Sequence, residues 1–127
     1  MTAQSLTTDE RQTHLPPLGE TGWGAVPGRD AIRKVWKFRN FSEAWGFMTR
    51  CALAAEKANH HPEWTNRFNI VDVTLITHDC AGLSMLDITL ARQMDRLSGT
   101  AACAIAACGV RKCSTKPYAG PRMASRL

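Results

Sequence analysis

The pattern of apolar and polar residues in the first hundred positions predicts four strands. Alternation is clearest in two of them: Ile32, Trp36 and Phe38 oppose polar neighbours, and Val71 begins a second alternating run. A Pro-Gly turn signal and the break at Asn69-Ile70 separate strands that are close in sequence. The predicted strands cover about 21–26, 32–38, 63–68 and 71–77.

Helix-start signals place three helices around these strands. Thr7 with Glu10 three residues later, and Ser84 with Asp87, both have the spacing of a capping box. Pro16–Pro17 is expected to end the first helix, because proline lacks an amide donor. The order helix, strand, strand, helix, strand, strand, helix predicts an α+β fold, a four-stranded antiparallel sheet with three helices packed on one face.

The central helix is predicted to run from Glu43 to about Ala58, with Ser42 as its N-cap. Its apolar residues surround more of the helix than one core-facing stripe requires. Trp45, Phe47 and Met48 argue against an ordinary alanine-rich surface helix. One side is therefore expected to pack on the sheet and a second side on another subunit.

Charge divides the 127-residue chain into a domain and a tail. The net charge is +5, yet residues 1–97 contain 11 basic and 11 acidic residues and are neutral. Because the excess lies in an alanine- and cysteine-rich tail, 98–127, the domain offers no basic surface for nucleic acid. We expect domain 1–97 to be followed by a solvated, disordered tail. The five basic residues of the tail are Arg111, Lys112, Lys116, Arg122 and Arg126.

The five cysteines do not follow the spacing of a zinc site, and their number is odd. We therefore expect free thiols in a reducing compartment. No apolar run approaches the ~18–20 residues of a membrane span, and the N-terminus lacks the pattern of a secretory signal. The expected location is the cytoplasm, with the nucleus as an alternative. Ser125-Arg126-Leu127 adds a minority hypothesis of peroxisomal import.

Three histidines lie at predicted element ends, where they are candidates for proton transfer. His60 and His61 follow the central helix and precede Pro62, and His78 follows the last strand. Histidine titrates near neutral pH, so such a cluster suits acid–base catalysis. Two alternatives stay open from the residues alone. The histidines could be structural, as helix caps or as polar residues with satisfied hydrogen bonds, or they could form a zinc site with Asp79.

The sequence around these histidines resembles the pterin-4a-carbinolamine dehydratases. The resemblance is carried by the blocks 59–64 (NHHPEW) and 77–84 (THDCAGLS), followed by Asp87. Shorter matching stretches are Gly22-Trp23, 28–32 (GRDAI), 47–50 (FMTR) and 55–57 (AEK). Together they extend from about Leu6 to Leu97.

The resemblance implies a hydro-lyase that dehydrates 4a-hydroxytetrahydrobiopterin to quinonoid dihydrobiopterin in tetrahydrobiopterin recycling. It implies no metal and no bound cofactor. Carried over by position, His60 and His78 become the proton-transfer candidates, and His61 becomes a residue that positions the substrate. The implied substrate-binding residues are Asn59, His60, His61, Pro62, Ile76, Thr77, His78, Asp79, Cys80 and Asp87.

Two departures from the family pattern and one further activity also bear on function. Asn59 stands where the family often has aspartate, and Met85-Leu86 replaces a common Glu-Arg pair, which puts substrate affinity in doubt more than catalysis.

By resemblance the chain is expected to form a homodimer or homotetramer. The alternative function is a non-enzymatic dimerisation or coactivator module that binds a transcription factor through helix 43–58.

Overall fold

The computed structural model describes residues 2–99 and the backbone of 103–105. The helices are α1 (Thr8–Glu20), α2 (Phe41–Ala58) and α3 (Met85–Ser98), with a 3-10 turn at His78–Cys80. The strands are β1 (Gly24–Ala25), β2 (Ile32–Lys37), β3 (Glu63–Arg67), β4 (Ile70–Leu75) and β5 (Cys103–Ile105). The predicted α+β fold of three helices on a four-stranded antiparallel sheet is confirmed.

The sheet has the order β1-β2-β4-β3, and every neighbouring pair is antiparallel. The central pairing aligns Ile32 with Leu75 and Trp36 with Val71. This register places the apolar residues of both strands on one face, since side chains alternate along a strand. β3 is the last strand in this order, and it begins two residues after His61.

The core lies between that face of the sheet and helices α2 and α3. Val71, Val73 and Leu75 of β4 are 0% exposed, as predicted from their alternation. Trp36 of β2 contacts Phe47 of α2 at 4.8 Å between ring centroids. Ile88, Ala91 and Met94 of α3 are equally buried. Burial of large side chains contributes roughly 1.5–3 kcal/mol each, so this layer dominates the stability of the fold.

Four predicted element boundaries are wrong by two residues or more. The strand predicted to reach Thr77 ends at Leu75. Pro16–Pro17 does not end α1: the helix continues to Glu20, because Leu18 is buried in the core and its carbonyl accepts the amides of Thr21 and Trp23. The first predicted strand, 21–26, shrinks to Gly24–Ala25 because α1 and a turn occupy its beginning.

The N-cap of α2 is Asn40 rather than Ser42. The Asn40 side chain accepts the Glu43 amide at 2.9 Å, and its own backbone is extended, as an N-cap requires. The helix consequently starts at Phe41, two residues before the predicted boundary. In contrast, both predicted capping boxes, at Thr7–Glu10 and Ser84–Asp87, are confirmed.

Lys34 interrupts the apolar face of β2 and was missing from the predicted pattern. It is 6% exposed, and its Nζ donates to Asp95 Oδ1 at 2.7 Å while lying 4.7 Å from the ring centroid of Trp36. Thr21 and Trp23 donate to the same carboxylate. The half-buried carboxylate of Asp95 therefore joins α3 to the end of α1, to the residue before β1 and to β2.

Part of the predicted tail adds to the sheet. The backbone of β5 pairs with β2, aligning Val35 with Ile105 and Lys37 with Cys103. Residue 98 belongs to α3 rather than to the tail, and the rest of the tail prediction lies outside the described residues. Within the part of the chain that the structure describes, no helix combines the length and apolar character needed to cross a membrane.

Candidate active site

The end of α2 turns His60 inward. The helix stops at Ala58, and Asn59 adopts a left-handed conformation with φ 52°, while the His60 amide donates to the Ala55 carbonyl at 3.0 Å. Asparagine tolerates this conformation better than most residues, which explains the abrupt reversal of the chain. Pro62 then prevents the helix from resuming and leads into β3.

A buried carboxylate holds the His60 ring. Asp87 is 0% exposed, and its Oδ1 lies 2.6 Å from Nε2 of His60. Its Oδ2 accepts the Thr77 hydroxyl at 2.7 Å and the Ser84 amide at 3.0 Å. A carboxylate with these partners keeps its hydrogen-bonding capacity satisfied although it is removed from water. The α3 capping residue thus also serves the site, since the same side chain orients a histidine.

This contact leaves the second nitrogen of His60 available. With Nε2–H donated to Asp87, Nδ1 has no hydrogen-bond partner among the described residues. Every fully buried side-chain nitrogen or oxygen in that part of the chain has a partner, which indicates that Nδ1 lies at the accessible edge of the ring. His60 can therefore exchange a proton at Nδ1 while Asp87 holds the ring through Nε2.

His61 points the other way, to the surface. Its Nε2 lies 2.8 Å from Glu56 Oε1, and the two side chains are 56% and 79% exposed. An exposed pair of this kind contributes little to stability. The adjacent histidines therefore occupy different environments, one buried and one open.

His78 is carried by a short closed loop. Thr77 and Gly82 exchange backbone hydrogen bonds of 2.8 and 3.2 Å, and the 3-10 turn His78–Cys80 lies between them. Ala81 takes a left-handed conformation at the loop's far side. The loop exposes 74% of the His78 side chain while its base stays rigidly paired.

An ion pair missed from the sequence lies beside His78. The Arg29 guanidinium donates to both oxygens of Glu63 at 2.9 and 3.0 Å, and Glu63 Oε2 lies 3.4 Å from His78 Nε2. The hydrogen bonds from Arg29 lower the pKa of the Glu63 carboxyl, with smaller help from the charge of His78. Arg29 and Glu63 are 34 residues apart, so no local pattern identifies the pair.

Two of the three predicted histidines, His60 and His78, contact these carboxylates, whereas His61 contacts Glu56. Asp87 contacts both His60 and Thr77, the residue before His78, while Glu63 contacts His78 and closely follows His61. Each histidine faces a different carboxylate. The described residues contain no group of three or more histidine, cysteine, aspartate or glutamate residues with the geometry to hold a metal ion.

The other predicted site residues differ in accessibility. Asn59 and Asp79 are exposed and Pro62 is half-buried, whereas Ile76 is 9% exposed. Cys80 is half-buried, and its thiol lies 3.5 Å from the Gly82 carbonyl and 3.7 Å from that of Thr77. A surface depression of about 470 Å³ lies between the N-terminal segment and the start of α3. None of the three histidines lines it.

The sequence model described as "Pterin 4 alpha carbinolamine dehydratase" matches residues 4–97, which include all of these side chains. The chain belongs to the pterin-4-alpha-carbinolamine dehydratase family. A relative from Dinoroseobacter shibae, whose name places it among these dehydratases, is 55% identical over 96 residues, or 76% of this chain and 99% of its own. One from Burkholderia vietnamiensis, similarly named, is 55% identical over 92 residues, or 72% of this chain and 88% of its own.

Two solved structures share the fold of this dehydratase-family chain. A Brucella melitensis protein described as a transcriptional coactivator/pterin dehydratase is 49% identical, with a TM-score of 0.70, covering 75% of this chain and 99% of its own. A pterin dehydratase-like protein described as a RuBisCO assembly factor in the alpha-carboxysome is 23% identical, with a TM-score of 0.55, covering 61% and 90%. The second likeness concerns the fold alone.

Proposed function

We propose that this chain dehydrates 4a-hydroxytetrahydrobiopterin to quinonoid dihydrobiopterin and water, as a hydro-lyase of tetrahydrobiopterin recycling. The observation that carries the proposal is the His60–Asp87 contact at 2.6 Å in a chain of this family. A buried carboxylate that orients one nitrogen of an imidazole leaves the other suited to acid–base catalysis.

The reaction needs two proton transfers and no change of oxidation state. The proton on N5 of the pterin leaves, a double bond forms between N5 and C4a, and the C4a–oxygen bond breaks. The departing hydroxyl takes up a proton and leaves as water. Two groups with pKa values near neutrality meet this demand better than one, because one must accept a proton while the other donates.

His60 and His78 are the proposed proton-transfer groups. His60 has an oriented ring with Nδ1 available, and His78 is highly exposed on a loop with a paired base. Asp87 contacts the ring of His60, and Glu63 lies beside the ring of His78. His61, open to the surface beside Glu56, is proposed to position the pterin.

The proposed substrate contacts come from the two segments that carry the histidines. Asn59 and Pro62 flank the first pair, and Asp79 and Cys80 belong to the His78 loop. The deeply buried residues, Thr77 and Asp87, would act by holding His60, since they present little surface to a ligand. The complete proposed set is Asn59, His60, His61, Pro62, Ile76, Thr77, His78, Asp79, Cys80 and Asp87.

The direct test follows the carbinolamine in a stopped-flow spectrophotometer with and without the protein. The carbinolamine is generated enzymatically, and its decay to the quinonoid product is recorded by absorbance. We expect a rate that increases in proportion to protein concentration. A folded sample that leaves the spontaneous rate unchanged would contradict the proposed reaction and favour the binding-module alternative.

We further propose that α2 mediates self-association as a homodimer or homotetramer. Three large apolar side chains of this helix remain exposed: Phe41 at 48%, Trp45 at 55% and Leu53 at 68%. The Phe41 and Trp45 rings stack at 5.9 Å, which gives the outer side a flat aromatic surface. Large apolar side chains exposed along one helix are typical of an interface, and the same surface on a second copy complements them.

Light scattering on the wild type and Trp45→Glu tests this association. We expect an oligomer for the wild type and a smaller species for the variant, because a charge at the interface centre disfavours burial. Thr89→Glu, at an exposed polar position on α3 and away from α2, serves as the matched control. A monomeric wild type would overturn self-association and favour the alternative of a coactivator module that binds a transcription factor through α2. The Brucella protein is described as a transcriptional coactivator/pterin dehydratase.

A further inference from the structure

Asp30 forms a hydrogen bond with the end of the loop that carries His78, from a different part of the chain. Its Oδ2 accepts the Leu83 amide at 3.1 Å, a bond between the turn before β2 and the last part of the loop. On the other side of the same residue, the Leu83 carbonyl accepts the Leu6 amide at 2.9 Å. Leu83 is therefore held on both sides by groups remote in sequence.

Arg11 of α1 fixes the orientation of the Asp30 carboxylate. Its guanidinium donates to both oxygens at 2.7 and 2.8 Å, and its Nε donates to the Leu6 carbonyl at 3.3 Å. Bidentate contacts of this type define both the position and the plane of a carboxylate. The arrangement connects the first helix to the loop through Asp30.

Gly82 makes room for this carboxylate. A Cβ atom built on Gly82 would lie 2.4 Å from Asp30 Oδ2, well below van der Waals contact, and 3.4 Å from Asp30 Cβ. Any larger residue at 82 must displace the Asp30 carboxylate or the loop. The absence of a side chain at this position is thus matched to Asp30.

We propose that Asp30 is a positioning residue for the dehydration: it holds the 77–83 loop in the geometry that His78 needs. This proposal rests on the proposed function for the role of His78. The base of the loop is closed by the Thr77–Gly82 pair, and Asp30 supplies a side-chain restraint on the segment that follows, beside the backbone bond from Leu6. Loss of that restraint lets the loop shift, and displacements of about 1 Å reduce catalysis strongly.

The test combines loop dynamics with kinetics in Asp30→Ala. We expect kcat to fall about tenfold at a temperature far below the unfolding midpoint. Amide hydrogen exchange at Leu83 should accelerate about tenfold or more, because its acceptor is gone. The matched control is Asp72→Ala, which removes another bidentate arginine partner, of Arg33, away from the loop and should leave kcat unchanged.

Gly82→Ala separates positioning from a general loss of stability. Alone it should lower kcat, because its methyl group collides with the Asp30 carboxylate. Combined with Asp30→Ala it should cost nothing further, since only the 3.4 Å contact with Cβ remains. A double variant whose fold-loss in kcat equals the product of the two single fold-losses would overturn the proposal.

Two other results would overturn it as well. Unchanged Leu83 exchange in Asp30→Ala would mean that Asp30 does not restrain the loop. Faster exchange with unchanged kcat would mean that the restraint has no bearing on catalysis. If the wild type shows no turnover, the proposed function has failed, and the exchange measurement still decides whether Asp30 holds the loop.

Discussion

Nε2 of His60 lies 2.6 Å from Oδ1 of Asp87, although 27 residues separate them in sequence. The contact joins the end of α2 to the first turn of α3 inside the protein. Asp87 also receives the Ser84 amide, so one carboxylate caps a helix and orients a ring. This part of the site is therefore built on the ends of two helices, which suits groups that must keep their geometry.

Asp87→Asn should separate the two duties of this side chain. The amide oxygen can still accept the Ser84 amide, while its NH₂ group faces Nε2–H of His60 and opposes the tautomer with a free Nδ1. We expect kcat to fall by a factor on the order of 100 or more, and unfolding free energy to fall by about 1–3 kcal/mol. Stopped-flow kinetics and urea unfolding measure the two effects, and an unchanged kcat would argue against orientation by Asp87.

His60→Ala and His78→Ala should differ in stability. The His60 side chain is 8% exposed, and its removal leaves the Asp87 carboxylate buried beside a cavity, at a cost of about 2–4 kcal/mol. The His78 side chain is 74% exposed, so its truncation should change stability by less than about 0.5 kcal/mol. Urea unfolding of both variants measures the difference, and equal losses would contradict the assigned environments.

Lys34→Met should destabilise the fold without impairing the chemistry. The variant removes the ammonium that accompanies Asp95, which is only 19% exposed, and we expect a loss of about 1–3 kcal/mol. Arg33→Met is the matched control on the opposite face of β2, where the cation is 49% exposed and should contribute less than about 1 kcal/mol. Comparable losses of unfolding free energy in the two variants would show that burial does not make the Lys34 ion pair more stabilising than the exposed Arg33 pair.

The Asp30–Arg11 pair predicts how stability depends on pH. Hydrogen bonds from Arg11 hold the pKa of the Asp30 carboxyl below its ordinary value in the folded protein. A group with a lowered folded pKa stabilises the fold above its unfolded pKa and loses that contribution as the pH falls through the folded value. The stability difference between wild type and Asp30→Asn should be constant near pH 7 and shrink below about pH 4. Urea unfolding over this range checks it, and a difference that grew toward acid pH would contradict the sign.

The two cysteines of the folded domain should react differently with a thiol reagent. Burial raises the pKa of the Cys51 thiol to about 12, and the residue is 0% exposed, so almost no accessible thiolate exists at pH 8. Cys80 is half-buried and should be modified first. Iodoacetamide labelling followed by peptide mapping distinguishes the sites, and early labelling of Cys51 in folded protein would contradict its burial.

Much of the fold could be predicted because its signals are local. The Ser84–Asp87 capping box and the alternation of β4 each depend on a few consecutive residues, and both are confirmed. The errors came where tertiary contacts prevailed. Pro16–Pro17 lies within α1 because Leu18 is anchored in the core, and Lys34 lies on an apolar face because Asp95, 61 residues away, receives its charge.

Only part of the candidate site could be predicted from the sequence. The proline after His61 and the strand before His78 indicated two loops, and the family motifs identified their chemistry. The sequence did not reveal Arg29, Asp30 and Glu63 as supporting residues, because their contacts span 15 to 53 positions and follow no periodic pattern. The capping role of Asp87 was predicted, whereas its contact with His60 depends on how α2 and α3 pack.

The most direct test of the account is kcat for the 4a-carbinolamine in His60→Ala and His78→Ala, measured beside the wild type under conditions where all three are folded. Acid–base catalysis by a positioned side chain contributes about 10²–10⁴-fold, so each variant should lose at least about 100-fold in kcat. Equal turnover by folded wild type and both variants would contradict the assignment of proton transfer to these histidines.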